Sequence, residues 1–252
     1  NSDDKMLAKV ALYSLANIGD ASSAQLLSNA AQKSNFTFEE TNTTDSYLLY
    51  LNRLVENGNN NLANKLASSL MKSTKQDNQV HTRIAAMTLL AQSQGDKNTK
   101  LLLSALSDKN PEYRAAALMI ASKNINPATT TSWLKKLKKS NPEVQAEIIT
   151  MLGNARDESA LSNITKYLQN KNGNVRLAAI AAVGKTGGEK SLPALLSLLK
   201  NGNDEEIATV KNAIDMMSGD GVINNVADAL PGASAAGKAA LVNILGARAA
   251  SD

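Results

Sequence analysis

Side chains of one kind recur every 31 residues along much of this chain. Met87, Leu118, Ile149 and Ile180 stand one period apart, and Val242 follows two periods later. Ala91, Ser122, Gly153, Gly184 and Gly246 form a second such line. The stretch Pro111–Ser140 is repeated in type by Pro142–Lys171 and again by Asn174–Asn203. A fixed period in this range marks a stack of small units, each burying its apolar face only against its neighbours. Such a stack usually presents an extended surface to something else. The pattern therefore constrains architecture strongly and the partner very little.

Composition agrees with stacked helices. Apolar residues make up 43% of the 252 residues, enough for a continuous core, while aromatics make up only 3%. Alanine and leucine fill the difference, which suits short close-packed helices better than sheets. The 27 Lys and Arg against 23 Asp and Glu leave a net charge of +4, a surplus too small to argue for nucleic acid. With no cysteine, disulfides, thiolate ligands and a cysteine nucleophile are all excluded. No apolar run approaches the roughly 20 residues needed to cross a bilayer. The chain opens on Asn1 without a signal-like segment, which reads as a processed protein or an excised domain. Enrichment in Asn, Lys and Ser is in keeping with a bacterial source. The compartment is left open between periplasmic or secreted and cytoplasmic.

Each unit reads as two short helices. In Asn174–Asn203 the first runs near Asn174–Val183, with Gly184 and Gly187 ending it. The second runs near Glu189–Lys200, with Leu192, Leu195, Leu196 and Leu199 on one face. Earlier units give Val144–Leu152 followed by Leu161, Ile164 and Leu168, and Tyr113–Ala121 followed by Trp133, Leu134 and Leu137. Pro111 and Pro142 stand where first helices begin, a position that wastes no amide hydrogen. Toward the N-terminus Leu12, Leu15 and Ala16, then Leu51, Leu54 and Val55, continue the pattern less regularly. The Thr- and Asn-rich stretch Asn35–Asp45 between them reads as an exposed loop. Toward the other end Ile214 and Met217, not Lys211 and Asp215, look like the buried pair, with an insertion near Asp204–Glu206 and a deletion near Pro231–Ala235. The chain stops at Asp252 without a polar capping helix, so either the tail is expected to fold atypically or a further segment or a partner is expected to follow.

The run Asn174-Val175-Arg176-Leu177-Ala178-Ala179-Ile180-Ala181-Ala182-Val183-Gly184 resembles the HEAT repeat, in the short form seen in phycobilisome lyases. The resemblance spans roughly Ala8–Gly246 and is best from Val80 to Asn203. It implies an all-α, right-handed α-solenoid of about seven and a half helix pairs, with residues 1–252 as a single repeat domain. In this reading residues 80–203 are regular, 1–79 irregular and 204–252 degenerate. The family links adjacent units through an aspartate six residues before an arginine. Asp77 with Arg83 and Asp108 with Arg114 match; Asn170 with Arg176 matches in weaker form; Lys139 with Gln145 and Asn201 with Ile207 depart from it. The family also places the arginine-bearing helix on the concave side.

On that assumption three columns face the groove. They are Ile84, Ala115, Ala146, Leu177 and Ala239; then Ala85, Ala116, Glu147, Ala178 and Ala240; then Thr88, Met119, Thr150, Ala181 and Asn243. Glu147 is the one charge, and no cation is present, so a phosphate backbone would find nothing to neutralise it here. The lysines Lys100, Lys135, Lys136, Lys138, Lys139, Lys166 and Lys200 fall on the second helices. Ile84, Met119, Glu147, Thr150 and Leu177 are the candidate partner contacts. The competing account is that the alanines serve only close helix packing.

Motifs for chemistry are weak. Gly184-Lys185-Thr186 lacks the earlier glycine of a phosphate loop, since Ala179 stands there within a helix. Trp133 shares a column with Leu102, Ile164 and Leu195 and reads as core, which makes the neighbouring lysines a solvated face. His81, the sole histidine, shares a column with Glu112, Glu143 and Asn174 at helix starts. Glu39-Glu40 and Glu205-Glu206 lie in expected loops, and Asp3-Asp4 is close to the terminus. Asn35, Asn42 and Asn163 begin glycosylation-type triplets that an Asn-rich chain produces by chance. No catalytic, cofactor or metal residues are assigned. The expected role is a non-catalytic scaffold that binds another protein, or another domain of its own polypeptide, on the concave face. The alternatives are a DNA-glycosylase-like nucleic-acid binder and a bilin-lyase-like enzyme.

Overall fold

The computed structural model describes residues 4–94, 98–219 and 221–249. Asp3, and Asp252 with the uncovered end read there, lie outside the described residues. Among the described residues there is no strand. The chain forms two compact units, divided between Ile120 and Ala121.

The first unit holds α1 (Lys5–Ile18), α2 (Ala24–Lys33), α3 (Thr43–Glu56), α4 (Asn60–Ser73), α5 (Val80–Gln94) and α6 (Thr99–Ala105), with most of α7 (Pro111–Ser122). First helices stack on first helices: α1 packs on α3, and α3 on α5. Tyr50, Leu51, Leu54, Leu27, Ala63 and Leu70 form the centre of its core, each at most 2% exposed. Asp4 starts α1 by accepting from the amides of Met6 and Leu7. Gly19 ends it at φ 66°. A side chain there would meet Cβ of Arg53 at 2.7 Å, so both the left-handed backbone and the close approach call for glycine.

The polar stretch ahead of α3 is more ordered than a solvated loop. Thr44 and Ser46 are buried, and the Thr44 hydroxyl donates to the Thr37 carbonyl at 2.7 Å. Glu39 folds back over the start of α3 and accepts from the Thr43 amide at 2.9 Å and the Thr41 amide at 2.7 Å. Thr82 and Gln79 of the next helix pair donate to the carbonyls of Phe36 and Asn35. The expected loop is therefore a tied-down connection, because its backbone groups find partners in the core.

The second unit holds α8 (Pro127–Lys139), α9 (Pro142–Asn154), α10 (Leu161–Ile164), α11 (Gly173–Gly187), α12 (Leu192–Ser197), α13 (Asp204–Asp215), α14 (Gly221–Ala229) and α15 (Ala235–Ala249). Asparagines start successive helices: Asn126 caps α8, Asn141 α9, Asn172 α11 and Asn203 α13. Pro111 and Pro142 are the first residues of their helices, as read. The first helices α9, α11, α13 and α15 pack in series. The buried pair near the C-terminus is Ile214 and Met217, also as read.

Two readings are corrected here. The helix expected to stop at Gly184 runs on to Gly187. Gly184 lies in the interhelical contact, where an added Cβ would stand 2.5 Å from that of Ala213; Gly153 has the same relation to Ala182. Gly153 and Gly184 thus mark close helix approach rather than helix ends. The single second helix expected over Glu189–Lys200 is composite: 3-10 turns at Gly188–Ser191 and Leu198–Lys200 flank the short α12. Second helices here are too short to be stable alone, and packing of their leucines under the first helices sets their form.

Candidate functional site

Arginines near the starts of first helices, Arg83 and Arg114 in the first unit and Arg176 in the second, tie the loops around them. Arg83, 7% exposed, donates to both carboxylate oxygens of Asp108 at 2.9 and 3.1 Å. Its guanidinium also lies 3.9 Å from the centroid of the Tyr113 ring. Asp77 serves the next loop differently, accepting from the Asn110 side-chain Nδ2 at 3.1 Å. Arg114 turns back to the carbonyls of Asp108 and Lys109, each at 3.1 Å. Arg176 does both: it donates to the carbonyls of Asn170 and Lys171, and its Nε reaches Glu206 at 2.5 Å.

Glu206 was missed because Glu205-Glu206 reads as loop. Both residues are in the first turn of α13, where Glu206 closes a capping box with Asn203. The signal was present as Asn203-Asp204-Glu205-Glu206, a cap residue with an acid three positions later. These arginines order the loops that carry the first helices.

The candidate contact residues sit on those helices. In the first unit Ile84 on α5 is half-buried and Met119 on α7 is 60% exposed. In the second unit Glu147 and Thr150 stand one turn apart on α9, the first half-buried and the second exposed, and Leu177 on the neighbouring α11 is half-buried. His81 begins α5 on the surface, its Nδ1 3.3 Å from Glu112.

Within the first unit, further exposed apolar groups lie toward the N-terminus. Val10 and Tyr13 on α1 are each 56% exposed and Met6 is 67% exposed. With Leu49, Ser46, Asp45 and Asn42 at the start of α3, and with Lys9, they line a cleft of about 420 Å³. Aligning Leu12, Leu51 and Met87 puts Val10, Leu49 and Ala85 in one column and Tyr13, Asn52 and Thr88 in another. The irregular spacing in this region hides that register from a strict 31-residue repeat.

Asp45, which lines this cleft, and Glu39, which does not, are both tuned by the connection ahead of α3. Partial burial pushes the Glu39 carboxyl up, but the hydroxyls and amides of Thr41 and Thr43 outweigh it and hold the group at about 2. Asp45 is pushed the other way, by partial burial first and by the Glu39 charge second, with Lys9 opposing. Lys9 itself donates to the Glu40 carbonyl at 3.3 Å.

Trp133 is 1% exposed and belongs to the core of the second unit. Gly184-Lys185-Thr186 lies within α11, with Lys185 donating to Asn154 at 2.7 Å, so no phosphate loop forms. Among the described residues no three His, Asp or Glu side chains converge on one point, and no helix is long and apolar enough to cross a membrane.

Residues 130–214, from the middle of α8 to the end of α13, match the family model for HEAT repeats. Over that segment the chain is similar to HEAT repeats. The matched segment contains the Arg176–Glu206 pair and the interhelical glycines Gly153 and Gly184. No curated protein matches the chain. HEAT repeats commonly serve as protein-interaction scaffolds.

Proposed function

We propose that this chain is a non-catalytic protein-interaction module that takes a partner segment on the face formed by its first helices. Residues 1–252 are read as one repeat domain, and the partner as another protein or another domain of the same polypeptide. The observation that carries the proposal is apolar bulk where a solvated helix face would carry charge. Met6, Val10, Tyr13 and Met119 are each more than half exposed. Large apolar side chains in this setting supply most of the energy of an interface. In the second unit Leu177 is the corresponding anchor, with Thr150 and Glu147 as polar neighbours that orient a ligand backbone.

The test is retention from native extract, identified by mass spectrometry. It compares the wild type with a Met119→Lys, Leu177→Lys variant and a Val10→Lys, Tyr13→Lys variant. Circular dichroism confirms that each variant keeps its helix content. A protein held by the wild type and lost by a folded variant supports the reading. Equal retention by all three chains overturns it.

A further inference from the structure

A second surface lies on the opposite kind of helix, within the second unit. The last two turns of α8 carry Lys135, Lys136, Lys138 and Lys139. A helix C-terminus presents the equivalent of about half a negative charge, which one or two cations suffice to answer. Across from α8, the 3-10 turn at Thr165–Gln169 and the loop after it bring up Lys166 and Lys171. Lys138, Lys166 and Lys171 rim a groove of about 400 Å³, and no carboxylate lines it. Among the described residues none of the three makes an ion pair. The wall that carries Lys171 is fixed from behind, since Arg176 holds the carbonyls of Asn170 and Lys171 and is itself anchored by Glu206.

The floor is apolar. Leu137 is buried, and Leu134 and Tyr167 are half-buried between the lysines. A phosphate backbone carries closely spaced charge and needs a continuous track of cations. This groove instead offers a short apolar depression inside a ring of three cations, sized for a few side chains.

We infer that the groove between α8 and the Thr165–Gln169 turn binds an acidic protein segment, seating an apolar side chain over Leu134 and Tyr167 and carboxylates against Lys138, Lys166 and Lys171. Opposite charge across the rim sets orientation and speeds encounter, and the fixed wall lowers the ordering cost. This surface is independent of the first-helix face, so either can fail alone.

The probe is a fluorescein-labelled helical peptide of leucine and glutamate, titrated with the full chain and followed by anisotropy. A leucine and lysine peptide of equal length and a thymidine oligomer of equal charge serve as competitors. The glutamate peptide is expected to bind, to weaken as salt rises, and to lose at least about tenfold in affinity in Lys138→Glu, Lys166→Glu. The charge-conserving Lys138→Arg, Lys166→Arg variant is expected to restore binding. Lys100→Glu on α6 and the Met119→Lys, Leu177→Lys variant are expected to leave it unchanged. An equal loss in Lys100→Glu would mean diffuse attraction to net charge and would overturn the proposal. So would absence of binding, or tighter binding of the thymidine oligomer.

Discussion

Arg83 pairs with Asp108, the acid of the following loop, and not with Asp77, the acid six residues before it. The pairing is bidentate, nearly buried, and backed by the Tyr113 ring. It makes the arginine a clasp between successive helix pairs, because a guanidinium fork matches a carboxylate edge in a way an ammonium cannot. Arg83→Ala would leave Asp108 partly buried without its cation. The expected cost is about 2–4 kcal/mol. Arg83→Lys should recover less than half of that. Urea midpoints followed by circular dichroism check both, and a cost below about 0.5 kcal/mol for the alanine variant contradicts the clasp.

The two kinds of glycine in the 31-residue line should answer oppositely to a methyl group. Gly184→Ala forces a Cβ to 2.5 Å from that of Ala213, so α11 and α13 must separate. Overpacking of this kind costs about 1–3 kcal/mol. Gly246 lies within α15 with nothing near its Cβ position. Gly246→Ala should instead stabilise by about 0.5–1 kcal/mol through helix propensity. Thermal unfolding of the two variants beside the wild type tests the sign of each.

Glu206 joins two stabilising roles that substitution can separate. Glu206→Gln keeps an acceptor for the capping box with Asn203 but removes the charge facing Arg176. Glu206→Ala removes both. Losses of about 1 and about 2–3 kcal/mol are expected. Trp133 is the sole tryptophan and is buried in the second unit, so its fluorescence reports this unfolding directly. Equal losses in the two variants would mean that the capping box contributes nothing.

Glu39 makes a pH-dependent contribution. Its folded-state value of about 2 lies below the ordinary 4.5, since the donors of Thr41 and Thr43 outweigh partial burial. A lowered folded-state value means stability that is fully present above 4.5 and lost as pH falls through 2. The wild type should therefore exceed Glu39→Gln in stability near neutrality, and the gap should close between about pH 4.5 and 2. Urea midpoints across that range measure the gap, and a gap independent of pH would contradict the assignment.

Much of this molecule is legible in its sequence, and the boundary has a physical cause. The 31-residue recurrence, the leucine faces, the prolines at helix starts and the burial of Trp133, Ile214 and Met217 all follow from local periodicity. So does the resemblance to HEAT repeats. Side chains that repeat with the helix turn must be buried together, whatever lies around them. Interactions between helix pairs escape that reading, because sequence spacing says nothing about which neighbour a long side chain reaches. Only the tertiary structure decided that Arg83 turns forward to Asp108, that Glu206 is a helix cap and a rung, and that Gly184 marks a helix contact instead of a helix end. It likewise showed that the stretch ahead of α3 is tied to Gln79 and Thr82 of the next pair. The surfaces divide in the same way. The columns on the first helices could be written down from the period, whereas the cleft at Val10, Tyr13 and Leu49 in the first unit and the lysine groove beside Tyr167 in the second exist only once elements distant in sequence pack side by side.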